Sequence, residues 1–211
     1  MAKKAVYIYE RFERFWHWSQ ALLVSLLALT GFEIHGSYSL LGFENAAALH
    51  NSSAVLLVVL IVFSVFWHFT TDAWRQYIPT RKNLQAQIRY YTAGVFRGEL
   101  HPVKKTRRRK MNPIQVLAYL SLKLVIVPLM VFSGMLYMAY RYTYQGDLHA
   151  LDFLNLKAVA FWHVLGAYLL LLFTVVHVYM TTTGSTVTEN LKAMLTGYEE
   201  LEEEEAELES T

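Results

Sequence analysis

The chain has 211 residues, 55% of them hydrophobic, and a mean hydropathy of +0.26, which is high for a soluble domain and points to a membrane protein. It has no cysteine, which excludes disulfides, cysteine-ligated zinc, iron–sulfur clusters held by this chain and the C-x-x-C-H attachment of c-type haem. The formal net charge of +2 hides an asymmetry: cations crowd the start and the middle of the chain and are scarce in two other connections.

Lys3, Lys4, Arg11 and Arg14 precede the first apolar segment, Phe15–Ile34. It is long enough to cross a hydrocarbon core. It is expected to be retained rather than cleaved as a signal peptide: His17 and Trp18 interrupt it and no A-x-A site closes it. Gly31 follows His17 by fourteen residues, nearly on the same helix face. A glycine there could admit the edge of a flat macrocycle, or simply let helices pack closely.

The connection Glu33–Ala48 has no Lys or Arg. The second segment, Leu49–Phe69, starts at His50 and ends near His68. His68 is read as an interfacial histidine near Trp67 and Trp74, with quinone protonation or a propionate contact as the sharper alternative.

Thr70–Asn112 is long and basic, from Arg75 to the Lys104–Lys110 run. Leu84, Ile88, Tyr91 and Val95 recur at helical spacing and predict an amphipathic helix around 84–96, suited to a membrane surface with anionic headgroups or to a soluble partner. The basic run is explained by topology and not by nucleic acid. Positive charge marks the cytoplasmic side, so both termini and this connection are expected inside.

The third segment, Ile114–Tyr140, follows Asn112–Pro113, and proline suits a first helical position. Pro128 predicts a kink in its middle. It contains no histidine, and Lys123 is expected to snorkel to the inner interface. The connection Arg141–Lys157 carries cations only at its ends, and the fourth segment, Ala158–Met180, contains His163 and His177. These are fourteen residues apart, which on a helix means about 40° around the axis and about 21 Å along it. Glu199–Glu209 is almost all Glu, Ala and Leu and reads as a solvated acidic tail, residues 199–211, following a transmembrane domain over 1–198. The expected fold is all-α: a four-helix transmembrane bundle with both termini cytoplasmic.

Histidine inside a membrane span is costly and usually functional, and imidazole is a standard haem-iron ligand. Taken singly, each histidine could be a hydrogen-bonded core residue. As a set, His17, His50, His163 and His177 supply what two stacked bis-imidazole haems need. Depth pairs His17 with His177 at the inner level and His50 with His163 at the outer level. With no cysteine, such haem is b-type and non-covalent. Both axial positions are then filled, which suits electron transfer rather than catalysis at iron.

Arg14-Phe15-Trp16-His17-Trp18 with Thr30-Gly31, the early His50, and Phe161-Trp162-His163 with His177 resemble the cytochrome b subunits of nickel–iron hydrogenases, membrane formate dehydrogenases (the gamma subunit) and thiosulfate-reductase-like enzymes. The resemblance covers about residues 10–195. It implies a di-haem b-type electron-transfer subunit that anchors a redox enzyme in the cytoplasmic membrane of a bacterium or archaeon and links it to the quinone pool. The family's ligand positions fall on His17, His50, His163 and His177, with the same pairing. It implies a partner such as an iron–sulfur protein, a dehydrogenase or reductase, or a multihaem cytochrome. It also implies a quinone beside the inner haem, for which Arg11, Arg14, His68 and the Thr181–Thr183 run are the candidates. A stand-alone transmembrane cytochrome without a quinone site, and a non-haem membrane anchor or transporter subunit, remain the competing readings.

Overall fold

The structure is a computed structural model and describes residues 3–80, 83–99, 110–143, 155–184 and 186–202. Arg81, Lys82, the cations of 104–109, the middle of the Arg141–Lys157 connection and the tail beyond Glu202 lie outside the described residues. The described chain is mostly helical. Three helices are long and apolar enough to cross a membrane: Phe43–Thr70, Pro113–Tyr140 and Leu156–Thr181. The helix over Arg11–Ile34 has 24 residues, about 36 Å and so enough to span, but His17, Ser19, Gln20 and Ser25 dilute its apolar run. The chain forms two compact units.

The first unit comprises Met1–Gln76, Thr106–Lys110 and Ser185–Thr211. Strand β1 (Lys3–Tyr7) pairs antiparallel with β2 (Tyr198–Glu202), with Lys3 opposite Glu202 and Tyr7 opposite Tyr198. The first residues of the stretch expected as a solvated tail are therefore one strand of a ribbon. Lys3 faces Glu202 across it, an opposite-charge pair that favours the ribbon. Helix α7 (Glu189–Thr196) leads into β2 through Gly197 at φ 91°. A Cβ there would stand 2.6 Å from the Tyr7 ring, so both the backbone angle and the close approach call for glycine. The Gly197 carbonyl accepts the amides of Ile8 and Tyr9, which fixes the start of α1 (Arg11–Ile34).

The first turns of α1 hold α7. Arg14 donates to the Leu195 carbonyl at 2.7 Å and the Trp18 indole donates to that of Met194 at 3.2 Å. A cation at these C-terminal carbonyls also meets the favourable end of the helix dipole. Glu13 receives the Glu10 amide and pairs with Lys110 at 2.6 Å in a largely buried contact. At the other end of α1, buried Glu33 accepts the amides of Leu40, Leu41 and Gly42 at 2.6–2.8 Å. One carboxylate thus satisfies donors that the turn into α2 (Phe43–Thr70) would otherwise orphan.

The second unit comprises Tyr77–Lys105 and Met111–Gly184. Helix α3 (Leu84–Arg89) continues through a π-helical turn (Tyr90–Gly94) and a 3₁₀ turn (Val95–Arg97). The expected helix is there, but its buried face is Gln87, Tyr90 and Gly94. Ile88 and Phe96 stay exposed, at 49% and 76%. The buried positions keep helical spacing but fall one residue ahead of the Ile88, Tyr91 and Val95 stripe that apolar periodicity predicts. Asn112 caps α4 (Pro113–Ser121): its side chain accepts the Gln115 amide, its own amide donates to the Gln115 side chain, and Pro113 takes the first helical position.

Between α4 and α5 (Val127–Thr143) lies a π-helical turn, Leu122–Ile126. Pro128 brings no N–H for the carbonyl four residues back, and its ring crowds that carbonyl. The ladder changes register in the turn ahead of it, so the expected kink takes the form of a π turn. Helix α6 (Leu156–Thr181) begins at Asn155, whose side chain accepts the Lys157 amide. It packs on α5 through Gly166, where a Cβ would meet the Met130 sulfur at 2.7 Å.

Candidate functional site

The four leading histidines divide evenly between the units, His17 and His50 in the first and His163 and His177 in the second. In the first unit, His50 on α2 faces Thr30 and Gly31 on α1. Thr30 Oγ1 lies 2.9 Å from His50 Nδ1 and 2.7 Å from the Leu26 carbonyl oxygen. A carbonyl can only accept, so the hydroxyl hydrogen goes there and the hydroxyl oxygen accepts Nδ1–H from the imidazole. That tautomer places the ring's lone pair on Nε2, which leaves that nitrogen able to coordinate a metal. A Cβ on Gly31 would stand 3.4 Å from His50 Cε1, an ordinary contact, so a side chain longer than alanine's would enter the imidazole's place. This is a third role for Gly31, beside the two the sequence offered.

The second unit repeats the device. Ser133 Oγ on α5 lies 2.9 Å from His163 Nδ1 on α6 and 2.5 Å from the Leu129 carbonyl oxygen. A Cβ on Gly134 would stand 3.4 Å from His163 Cε1. Thr30 and Ser133 are both buried, so the hydroxyls are not shared with bulk solvent.

The remaining histidine of each unit sits at the other level. His17 precedes Gly31, the neighbour of His50, by fourteen residues on α1, and His163 precedes His177 by fourteen on α6. Each unit therefore carries two imidazoles separated by about 21 Å along its helices. His177 Nδ1 lies 3.1 Å from the Tyr119 hydroxyl of α4. Its ring stacks on Phe173, with centroids 6.0 Å apart and planes at 4°. His17 meets Trp18 edge-on at 5.1 Å.

His68 is buried. Its Nδ1 donates to the Ser64 carbonyl at 2.6 Å, and its ring meets Trp16 and Trp67 edge-on at 5.6 and 5.5 Å. Contact with Trp16, the neighbour of His17 in the chain, brings His68 beside the first turns of α1. Arg14 is engaged with the α7 carbonyls as above, and Arg11 is exposed at the helix start. Lys123 places its ammonium 3.6 Å from the centre of the Tyr77 ring, a cation–π contact. Tyr91 accepts the Asn112 side-chain amide at 2.8 Å, and burial pushes its phenol above the ordinary tyrosine range.

Among the described residues, no group of three or more His, Cys, Asp and Glu side chains stands together as a metal cage. Single imidazoles with Nδ1–H committed and Nε2 carrying the lone pair do fit an iron whose other ligands come from a porphyrin. Sequence reasoning left the partners of the ring N–H groups open. Thr30 and Ser133 are those partners for His50 and His163, and the Tyr119 hydroxyl stands at Nδ1 of His177. Thr-Gly and Ser-Gly pairs inside apolar spans were the available signal.

Residues 8–197 match the family of prokaryotic cytochrome b561. The chain is 30% identical over 204 residues, 92% of its own length, to 74% of the Escherichia coli (strain K12) cytochrome named YdhU. It is 24% identical over 197 residues, 84% of its length, to 81% of a Rhizobium leguminosarum bv. viciae protein named as a Ni/Fe-hydrogenase B-type cytochrome subunit.

Proposed function

Because the chain belongs to the prokaryotic cytochrome b561 family, whose members are membrane haem b electron carriers, we propose that it is a di-haem, quinone-linked electron-transfer subunit of a membrane-bound oxidoreductase. The observation that carries this reading is the matched spacing. Each unit presents an imidazole pair about 21 Å apart, from His17 to His50 beside Gly31 and from His163 to His177. Equal separations are what two haems at two depths require of both sides. His50 and His163 are assigned to the outer haem and His17 and His177 to the inner one. A haem so ligated supplies outer-sphere electron transfer, with both axial positions filled. The protein's part is to hold four imidazoles at fixed depth and tautomer and to exclude water from them.

Four spans and inner termini belong to the same proposal. The pairing of β1 with β2 supports an even number of crossings, with both ends on one side. Three helices qualify on length and composition, and α1 is the fourth. The basic start and middle connection favour a cytoplasmic side for those ends and the cytoplasmic membrane for the chain.

For the quinone we retain His68 as the inner-level group, since its ring adjoins Trp16, next to His17. Arg14 is tied to α7 and is the weaker candidate with Arg11. The partner is a soluble or peripheral redox subunit, the role suggested by the hydrogenase cytochrome relative. A pyridine haemochrome assay on the purified protein tests the core of the reading. Two non-covalent haem b per chain, reducible by a quinol, is the expected result; a colourless protein would sink it.

A further inference from the structure

We propose that Thr30 and Ser133 are an equivalent pair of positioning residues, whose hydroxyls fix the tautomer of His50 and His163 and hold down the reduction potential of the iron those imidazoles share. This rests on the di-haem reading above and adds to it a residue-level control of one haem.

The geometry is the same in each unit and independently built. In both, a hydroxyl sits 2.9 Å from the Nδ1 of a histidine on the next helix. In both, that hydroxyl is anchored to the carbonyl four residues back, at 2.7 Å for Thr30 and 2.5 Å for Ser133. In both, the following residue is a glycine whose missing Cβ would stand 3.4 Å from the same imidazole's Cε1. The histidines even share a place, each being the eighth residue of its helix, α2 from Phe43 and α6 from Leu156. One occurrence would be an ordinary buried hydrogen bond. Two occurrences, on two helix pairs and at the two histidines assigned to one haem, point to a shared task.

The chemistry follows from the direction of the bonds. Nδ1–H donates to the hydroxyl oxygen, and the hydroxyl hydrogen donates to a backbone carbonyl, so the three groups form a polarised relay. Donation from Nδ1–H makes Nε2 a more basic ligand and fixes the ring's orientation. A more electron-rich ligand stabilises ferric over ferrous iron, which lowers the potential. Both axial ligands of one haem carry the relay. His177 differs, since its Nδ1 partner is a phenol on α4. The two levels are therefore tuned by different groups.

The test is a potentiometric titration of the purified, haem-loaded protein and of Thr30→Val, Ser133→Ala, their double variant and Thr30→Ser. The band that disappears in His50→Ala identifies the outer haem. The outer potential should rise in each single variant and further in the double, with the inner one unmoved and Thr30→Ser close to the parent. Two retained haems with an unmoved outer potential in the double variant would overturn the inference and leave the di-haem reading standing. So would a shift in Thr30→Ser as large as in Thr30→Val, which would assign the effect to packing. If Thr30→Val loses the outer haem, Thr30→Ser decides: retention at the parent potential supports the inference and loss refutes it. A parent protein without haem removes the underlying reading, and this inference with it.

Discussion

The Tyr119 hydroxyl stands 3.1 Å from Nδ1 of His177, and the same imidazole lies flat against Phe173 one turn earlier on α6. The ring is thus held by a polar contact from α4 and an apolar one from its own helix. Tyr119→Phe removes the first and keeps the second. A net hydrogen bond of about 1 kcal/mol corresponds, for one electron, to about 40 mV. The inner haem potential should shift by no more than that, and the outer one not at all. Potentiometric titration with separate inner and outer bands checks it; a shift confined to the outer haem would contradict the assignment of His177.

The proposed ligand set predicts four single losses in two groups. His163→Ala or His50→Ala should remove the outer haem, and His177→Ala or His17→Ala the inner one. Each variant should keep about half of the haem per chain, and the two members of a group should lose the same spectral band. Members of one group losing different bands would refute the pairing.

Gly31 and Gly134 leave room for imidazoles at ordinary van der Waals range, 3.4 Å from the would-be Cβ. Alanine should therefore be tolerated at either position, with both haems kept. Leucine cannot be, because its further carbons would enter the ring's place. Gly31→Leu should lose the outer haem selectively, read from the haem-to-protein ratio. Gly166→Ala makes a useful contrast: its Cβ meets the Met130 sulfur at 2.7 Å, but that side chain is flexible and can move.

Lys110 and Glu13 form an ion pair at 2.6 Å with side chains only 9% and 14% exposed. Breaking a buried pair by removing one partner costs roughly 3–5 kcal/mol, whereas replacing both by apolar groups is often near neutral. Glu13→Gln or Lys110→Met should lower the melting temperature followed by haem absorbance. The double variant Glu13→Leu with Lys110→Met should recover most of the loss. A double variant as unstable as the worse single one would show that the charges matter beyond their mutual pairing.

Several features were open to reading from the chain alone. Apolar runs, the Asn112–Pro113 start and the sparse outer cations are local patterns, and helix formation depends mainly on local spacing. The fourteen-residue steps from His17 to Gly31 and from His163 to His177 became depths because a helix has a fixed rise. Other features were hidden. The β1–β2 ribbon joins residues nearly the whole chain apart, and an acidic stretch looks solvated until a basic strand is placed opposite it. The buried face of α3 falls on Gln87, Tyr90 and Gly94, and which face a short helix buries is set by what packs on it, which no periodicity rule sees.

By itself the sequence determined which segments are long and apolar enough for membrane-length helices, that any haem here lacks thioether bonds, and which histidines lie a fixed rise apart along one helix. Only the tertiary structure decided which hydroxyl meets which imidazole. The spans offer many serines and threonines, and each can satisfy itself on its own helix by bonding the carbonyl four residues back. Thr30 and Ser133 do so too. What distinguishes them is a histidine brought within 2.9 Å by a neighbouring helix, and that proximity is set by how helices pack and not by any spacing within one.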